Sequence, residues 1–162
     1  VWAQILLGLS FLAELGFAAH VAAVRLRAGP FTGGTMTTVL IVDDSKLARI
    51  VLKKAVGALK PDWSLCEAAS AEDALFELGR QAVDLAIVDF NMPGRNGLEL
   101  AEDIRRDGGT MPIALVTANI QDGIIARARA LNVAFVAKPV TEDKLRGFVS
   151  GADISLRRNA AS

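Results

Sequence analysis

Five polar residues of this sequence stand where chemistry could be done. Asp43 and Asp44 close the apolar run Val39-Leu40-Ile41-Val42, and Asp89 closes Leu85-Ala86-Ile87-Val88. Thr117 closes Ile113-Ala114-Leu115-Val116, and Lys138 closes Ala134-Phe135-Val136-Ala137 and precedes Pro139. Three carboxylates, one hydroxyl and one ammonium suit a divalent cation and a phosphoryl group. Carboxylates held together repel one another, which a cation between them relieves. Mg2+ is the natural ion, because it takes oxygen ligands and is often held by one or two carboxylates plus phosphate. One carboxylate could then accept a phosphoryl group as an aspartyl phosphate. The ammonium and the hydroxyl would meet the charge on the phosphoryl oxygens.

The apolar runs explain why these residues should meet. Short runs rich in Val and Ile read as buried parallel strands. Ligands of open α/β sheets bind outside the carboxyl ends of such strands. Helical patterns separate the runs. Ser45 caps Lys46 to Leu59, where Leu47, Val51, Ala55 and Leu59 recur at helical spacing. Trp63 to Ala68 is a weaker strand, and Ser70 caps Ala71 to Gln81. Further helices are expected over Leu98 to Asp107 and Gln121 to Leu131, and a last one from Thr141 with Leu145, Phe148 and Val149 inward. Five strands alternating with five helices predict an α/β fold, a parallel sheet wound on both faces. A cis Lys138-Pro139 bond is expected to fix the direction of the lysine.

Bulk properties narrow the function. The chain of 162 residues carries 18 basic and 18 acidic residues. That balance gives no basic footprint for nucleic acid. The single cysteine, Cys66, excludes an intrachain disulfide, and the single histidine, His20, lies far from the acids. A zinc site of Cys/His type is not expected.

Residues 1–35 differ from the rest. Trp2 to Val24 is mostly apolar, Arg25 and Arg27 follow, and a Gly- and Thr-rich linker leads to Met36. This stretch reads as non-native upstream sequence with Met36 as the true start, or as a membrane anchor. As an anchor, residues 1–27 would leave the following domain cytoplasmic. Glu14 in mid-span argues against that reading. A cleaved signal peptide is a third reading, but there is no basic segment before the apolar one. Residues 36–150 are expected to form one domain, and 151–162 a short tail.

The motifs Val39-Leu40-Ile41-Val42-Asp43-Asp44-Ser45, Asp89-Phe90-Asn91-Met92-Pro93 with Gly97, Thr117-Ala118 and Lys138-Pro139 resemble the CheY-like receiver domain of two-component response regulators. Each motif alone is weak; Asp43-Asp44 could merely cap a helix, and Lys138 could be a solvated charge. Together, in order and at strand ends, they are specific. The resemblance covers about Met36 to Val149. It implies a flavodoxin-like five-stranded sheet of order 2-1-3-4-5. It implies Asp89 as phosphoacceptor, with Asp43, Asp44, Asp89 and the Asn91 backbone carbonyl as Mg2+ ligands. Thr117 and Lys138 would sense the phosphoryl group, and Phe135 would be the switch aromatic.

The resulting expectation is a single-domain response regulator, phosphorylated by a sensor histidine kinase or a histidine phosphotransfer protein. It would be cytoplasmic and would signal to an output protein by contact, since no output sequence follows. An alternative is a receiver fragment of a membrane-tethered or hybrid-kinase protein. A third reading is an aspartate-nucleophile phosphohydrolase of the haloacid dehalogenase type. Those enzymes resemble a D-x-D pattern, whereas Asp43 and Asp44 are adjacent.

Overall fold

The computed structural model describes residues 36–118 and 122–161. The apolar stretch and linker assigned to residues 1–35 lie outside them. Among the described residues, strands and helices alternate throughout. They are β1 (Thr38–Val42), α1 (Lys46–Leu59), β2 (Ser64–Ala68), α2 (Ala71–Arg80), β3 (Leu85–Asp89), α3 (Gly97–Arg106), β4 (Ile113–Thr117), α4 (Asp122–Ala130), β5 (Ala134–Ala137) and α5 (Glu142–Ala160). The strands are parallel, in the order β2-β1-β3-β4-β5. This is the expected flavodoxin-like arrangement, with β3 at the centre of the sheet between β1 and β4.

Alternation along the strands builds two cores. Val39, Ile41, Leu85, Ile87, Ala114, Val116 and Val136 face α1 and α5, where Leu52, Val56, Leu145 and Val149 close over them. Leu40, Val42, Ala86, Val88, Ile113 and Leu115 face α2, α3 and α4. Each fully buried Leu, Ile or Val contributes about 1.5–3 kcal/mol from apolar area removed from water. β3 and β4 are buried along their whole length and β1 from Val39 onward, so the strand ends they present are well supported. Among the described residues no helix is long and apolar enough to cross a membrane.

Side-chain caps fix where the helices begin. Ser45 Oγ accepts from the Ala48 N–H and Ser70 Oγ from the Asp73 N–H. Asn96 and Glu99 form a reciprocal capping box at the start of α3. Gly97 follows that cap in tight quarters. A Cβ at this position would lie 2.2 Å from the Asp89 carbonyl oxygen and 2.9 Å from Leu115 Cδ2. Only a residue without a side chain lets α3 start this close beneath Asp89.

Two expectations are corrected. The α1 stripe does not run through Leu47 and Val51, which are exposed; Leu52, Ala55 and Val56 are the buried residues. Residues 151–160 are also not a tail but the second half of α5, with Ala152 buried and Leu156 packed on the core. Gly151 sits in open surroundings and does not end the helix. Lys60 Nζ reaches Asp153 Oδ2 at 2.6 Å, tying the end of α1 to this added length.

Candidate phosphoryl and cation site

Strand register brings the acidic residues together. Ile41 pairs with Ile87 and Val42 with Val88, so Asp43 and Asp89 follow side by side on neighbouring strands. By the two-residue alternation of a strand, both continue the rows that face α1 and α5. Asp43 and Asp89 are almost fully buried, whereas Asp44 is exposed. One carboxylate oxygen from each of Asp43, Asp44 and Asp89 lies within 4.8 Å of the others.

Lys138 comes from the far side of β4. Its Nζ stands 2.8 Å from Asp89 Oδ1, an ion-pair contact off the hydrogen-bond direction. Its own N–H donates to the Thr117 carbonyl at 2.8 Å. The Lys138-Pro139 peptide is cis, as the sequence reading expected. Thr117 is buried at the end of β4. It continues the row of Ile113 and Leu115, which faces α3 and α4. Phe135 pairs with Leu115 in register and packs, half-buried, on that same core. Thr117 and Phe135 thus share one face of the sheet, while Asp43, Asp89 and Lys138 continue rows of the other. Asn91 lies two residues beyond Asp89 in the β3–α3 loop and is exposed.

The electrostatics favour a cation. Burial is the main cause that pushes the Asp43 carboxyl above the ordinary carboxylate range, and the charges of Asp89 and Asp44 push it further. The Ser45 N–H, donated to Asp43 Oδ1 at 2.8 Å, and the Lys138 charge oppose this only in part. The other oxygen, Asp43 Oδ2, is buried and has no hydrogen-bond partner. A buried oxygen normally has a partner, and leaving one without costs about 1–3 kcal/mol. An oxygen-only donor set around such an atom fits a hard divalent cation.

Two residues of this neighbourhood were not singled out from sequence. Arg49, in the first turn of α1, has a largely buried side chain whose Nη1 donates to the Asp43 carbonyl at 2.7 Å. Its Nε lies 3.4 Å from Glu67 Oε2 on β2. The signal available was the position of Arg49, one helical turn after a doubly acidic strand end. Its partner depends on the pairing of Ile41 with Glu67, which only the folded sheet supplies. A further arginine, Arg95, pairs with buried Asp103 and anchors the β3–α3 loop to α3; Arg106, within the helix, pairs with the same carboxylate.

The family pattern of the response regulator receiver domain matches residues 39–150. The chain belongs to the response regulator receiver domain family. Receiver domains of two-component systems receive their signal from histidine kinases or phosphotransfer proteins. The chain is 35% identical over 135 residues to the sensor protein EvgS of Escherichia coli O157:H7, covering 81% of this chain and 11% of that one. It is 32% identical over 127 residues to the cyclic di-GMP phosphodiesterase response regulator RpfG of Xanthomonas campestris, covering 76% of this chain and 33% of that one. The receiver domain therefore spans only a small part of these relatives. Among solved structures, a response regulator receiver protein from Pseudomonas putida is 27% identical, with a TM-score of 0.67, covering 74% of this chain and 99% of that one. The Vibrio cholerae chemotaxis protein CheY4 has the same fold, with 23% identity and a TM-score of 0.66, covering 73% of this chain and 99% of that one.

Proposed function

We propose that this receiver domain is a Mg2+-dependent phosphoacceptor switch with Asp89 as the acceptor. The carrying observation is the buried Asp89 carboxylate, set between Asp43 and the Lys138 ammonium at 2.8 Å. An oxygen of Asp89 attacks phosphorus of a phosphohistidine or a small acyl phosphate. The new O–P bond forms as the donor's N–P or O–P bond breaks, and the electron pair leaves with the donor. Asp43, Asp44, Asp89 and the Asn91 carbonyl would hold Mg2+, which supplies charge neutralisation to the phosphoryl oxygens. Lys138 supplies a second positive charge and Thr117 a hydroxyl.

The same residues give a readout. Thr117 ends β4, and the following helix, α4, is lightly anchored, with Ala128 its one buried residue. An element with few buried contacts opens at low cost. A phosphoryl group that draws in Thr117 shifts the balance between two arrangements of β4, α4 and the Phe135 ring. The output is a change in affinity for a partner protein, not a turnover reaction. Mixing with acetyl phosphate and Mg2+ is expected to add one phosphoryl group per chain, and chelation of Mg2+ to prevent it. Repeated turnover of a phosphomonoester would point to a phosphohydrolase instead.

The donor has a surface to dock on. Leu47, Ile50 and Val51 are exposed on the first two turns of α1, which starts at the acidic loop. We assign this apolar strip to the histidine kinase or phosphotransfer protein. Ile50→Glu is expected to slow transfer from a phosphohistidine donor roughly tenfold, equivalent to about 1.4 kcal/mol. Labelling by acetyl phosphate, which needs no docking surface, should not change. Equal slowing of both would remove the strip from donor recognition.

A second reading, a receiver portion of a larger sensor protein, draws support from the relatives, of which the chain spans 11% in EvgS. The chemistry at Asp89 is the same in both settings. In either case the domain works in the cytoplasm, with its phosphohistidine donors.

A further inference from the structure

Arg49 and Glu67 do not belong to the constellation that would contact Mg2+ or the phosphoryl group, yet they are built against it. The Asp43 peptide is held from both sides by β2 and α1. Its N–H donates to the Ala68 carbonyl at 3.2 Å, and its carbonyl accepts from Arg49 Nη1 at 2.7 Å. The same Nη1 lies 3.5 Å from the Asp44 carbonyl. One guanidinium thus reaches the peptide units of both adjacent acids. Behind it, Glu67 Oε2 stands 3.4 Å from Arg49 Nε and 3.6 Å from Lys53 Nζ. The Arg49 side chain is only 13% exposed. A long side chain held this way has lost its rotamer freedom, a cost that its contacts must offset.

Charge alone does not account for this placement. A positive group beside a cation site repels the cation. What Arg49 offers in return is geometry. The strand ends at Val42, and two consecutive acids must then turn their carboxylates toward Asp89. Consecutive side chains of an extended chain point to opposite faces, so that turn must be imposed. The Arg49 fork fixes the carbonyls of the turn, and Glu67 faces the buried Nε in an ion-pair contact without a hydrogen bond, drawing the guanidinium by charge.

We infer that Arg49, oriented by Glu67, is a positioning residue that holds the Asp43-Asp44 turn in its cation-binding shape. The inference rests on the reading that Asp43, Asp44 and Asp89 bind Mg2+. The test is the Mg2+ affinity of the purified chain by titration calorimetry, with thermal melting in chelator as a control on folding. Arg49→Met is expected to weaken Mg2+ binding about tenfold despite removing a repelling charge. Arg49→Lys keeps the charge but lacks the planar fork, and should weaken binding about threefold. Glu67→Gln leaves Arg49 in place but unsteered, and should also weaken it about threefold. If Arg49 acts only through its charge, Arg49→Met binds Mg2+ more tightly and Arg49→Lys matches the wild type, and the inference fails. Should Arg49→Met not fold, Arg49→Lys and Glu67→Gln decide by the same criterion. A wild-type chain that binds no Mg2+ would instead overturn the reading of the acidic cluster itself.

Discussion

Asp89→Asn is expected to abolish labelling by acetyl phosphate in the presence of Mg2+. The amide has nearly the shape of the carboxylate but no anionic oxygen to attack phosphorus. Two other acids stand within reach, and the structure distinguishes them. Asp43 has one oxygen committed to the Ser45 N–H, and its carboxyl is pushed toward the protonated form by burial. Asp44 is exposed and lies outside the buried pair. Asp89 alone of the three has the Lys138 ammonium in direct contact. The substitution should not unfold the domain. Two like charges about 5 Å apart repel by roughly 3 kcal/mol at an effective dielectric of about 20. Removing one therefore offsets the loss of the Lys138 contact. Intact-mass measurement reads the label, and a melting curve in chelator checks the fold. A full-yield label on the Asp89→Asn chain would move the nucleophile to Asp43 or Asp44.

Lys138→Ala separates chemistry from signal. The proposed nucleophile and the acidic cluster remain, so labelling should persist. Mg2+ should bind at least as tightly, by roughly tenfold at most, because a competing cation has gone and Lys138 is one-third exposed. What is lost is the strut from β5 to β3. In the wild-type chain the ammonium is expected to turn from the Asp89 carboxylate to the phosphoryl oxygens, and β5 with Phe135 responds. Hydrogen exchange measured by mass spectrometry should show protection changing on labelling in β4, α4 and β5 of the wild type. The Lys138→Ala chain, labelled to the same extent, should show little of that change. An unaltered response would take the lysine out of the switch.

The sheet and its strand ends were legible because buried parallel strands carry continuous apolar runs, and the site residues follow those runs directly. Asp43 and Asp89 could be placed at neighbouring strand ends from sequence. That their carboxylates share a face follows from the pairing of Val42 with Val88, which no local pattern contains. The α1 stripe was misread for a geometric reason. Residues four apart advance about 40° beyond a full turn, so the row from Leu47 to Leu59 drifts by about 120°. Its later members reach the core, and its early members face solvent. The tail expected from residue 151 begins at a glycine, which is a poor helix former at about 1 kcal/mol relative to alanine. Burial of Ala152 and packing of Leu156 outweigh that. The Arg49–Glu67 pair was not legible, since its members belong to an element and a strand joined only through the β1–β2 register.

One carboxylate, Asp89, is proposed to receive the phosphoryl group. The most direct test is to label the chain with acetyl phosphate and Mg2+, reduce the acyl phosphate with borohydride, and sequence the peptides by mass spectrometry. Reduction converts an aspartyl phosphate to homoserine and leaves free aspartate unchanged. Homoserine is expected at position 89 alone, and none when Mg2+ is chelated. Homoserine at 43 or 44, or an unmodified chain under conditions where Mg2+ binds, would contradict it.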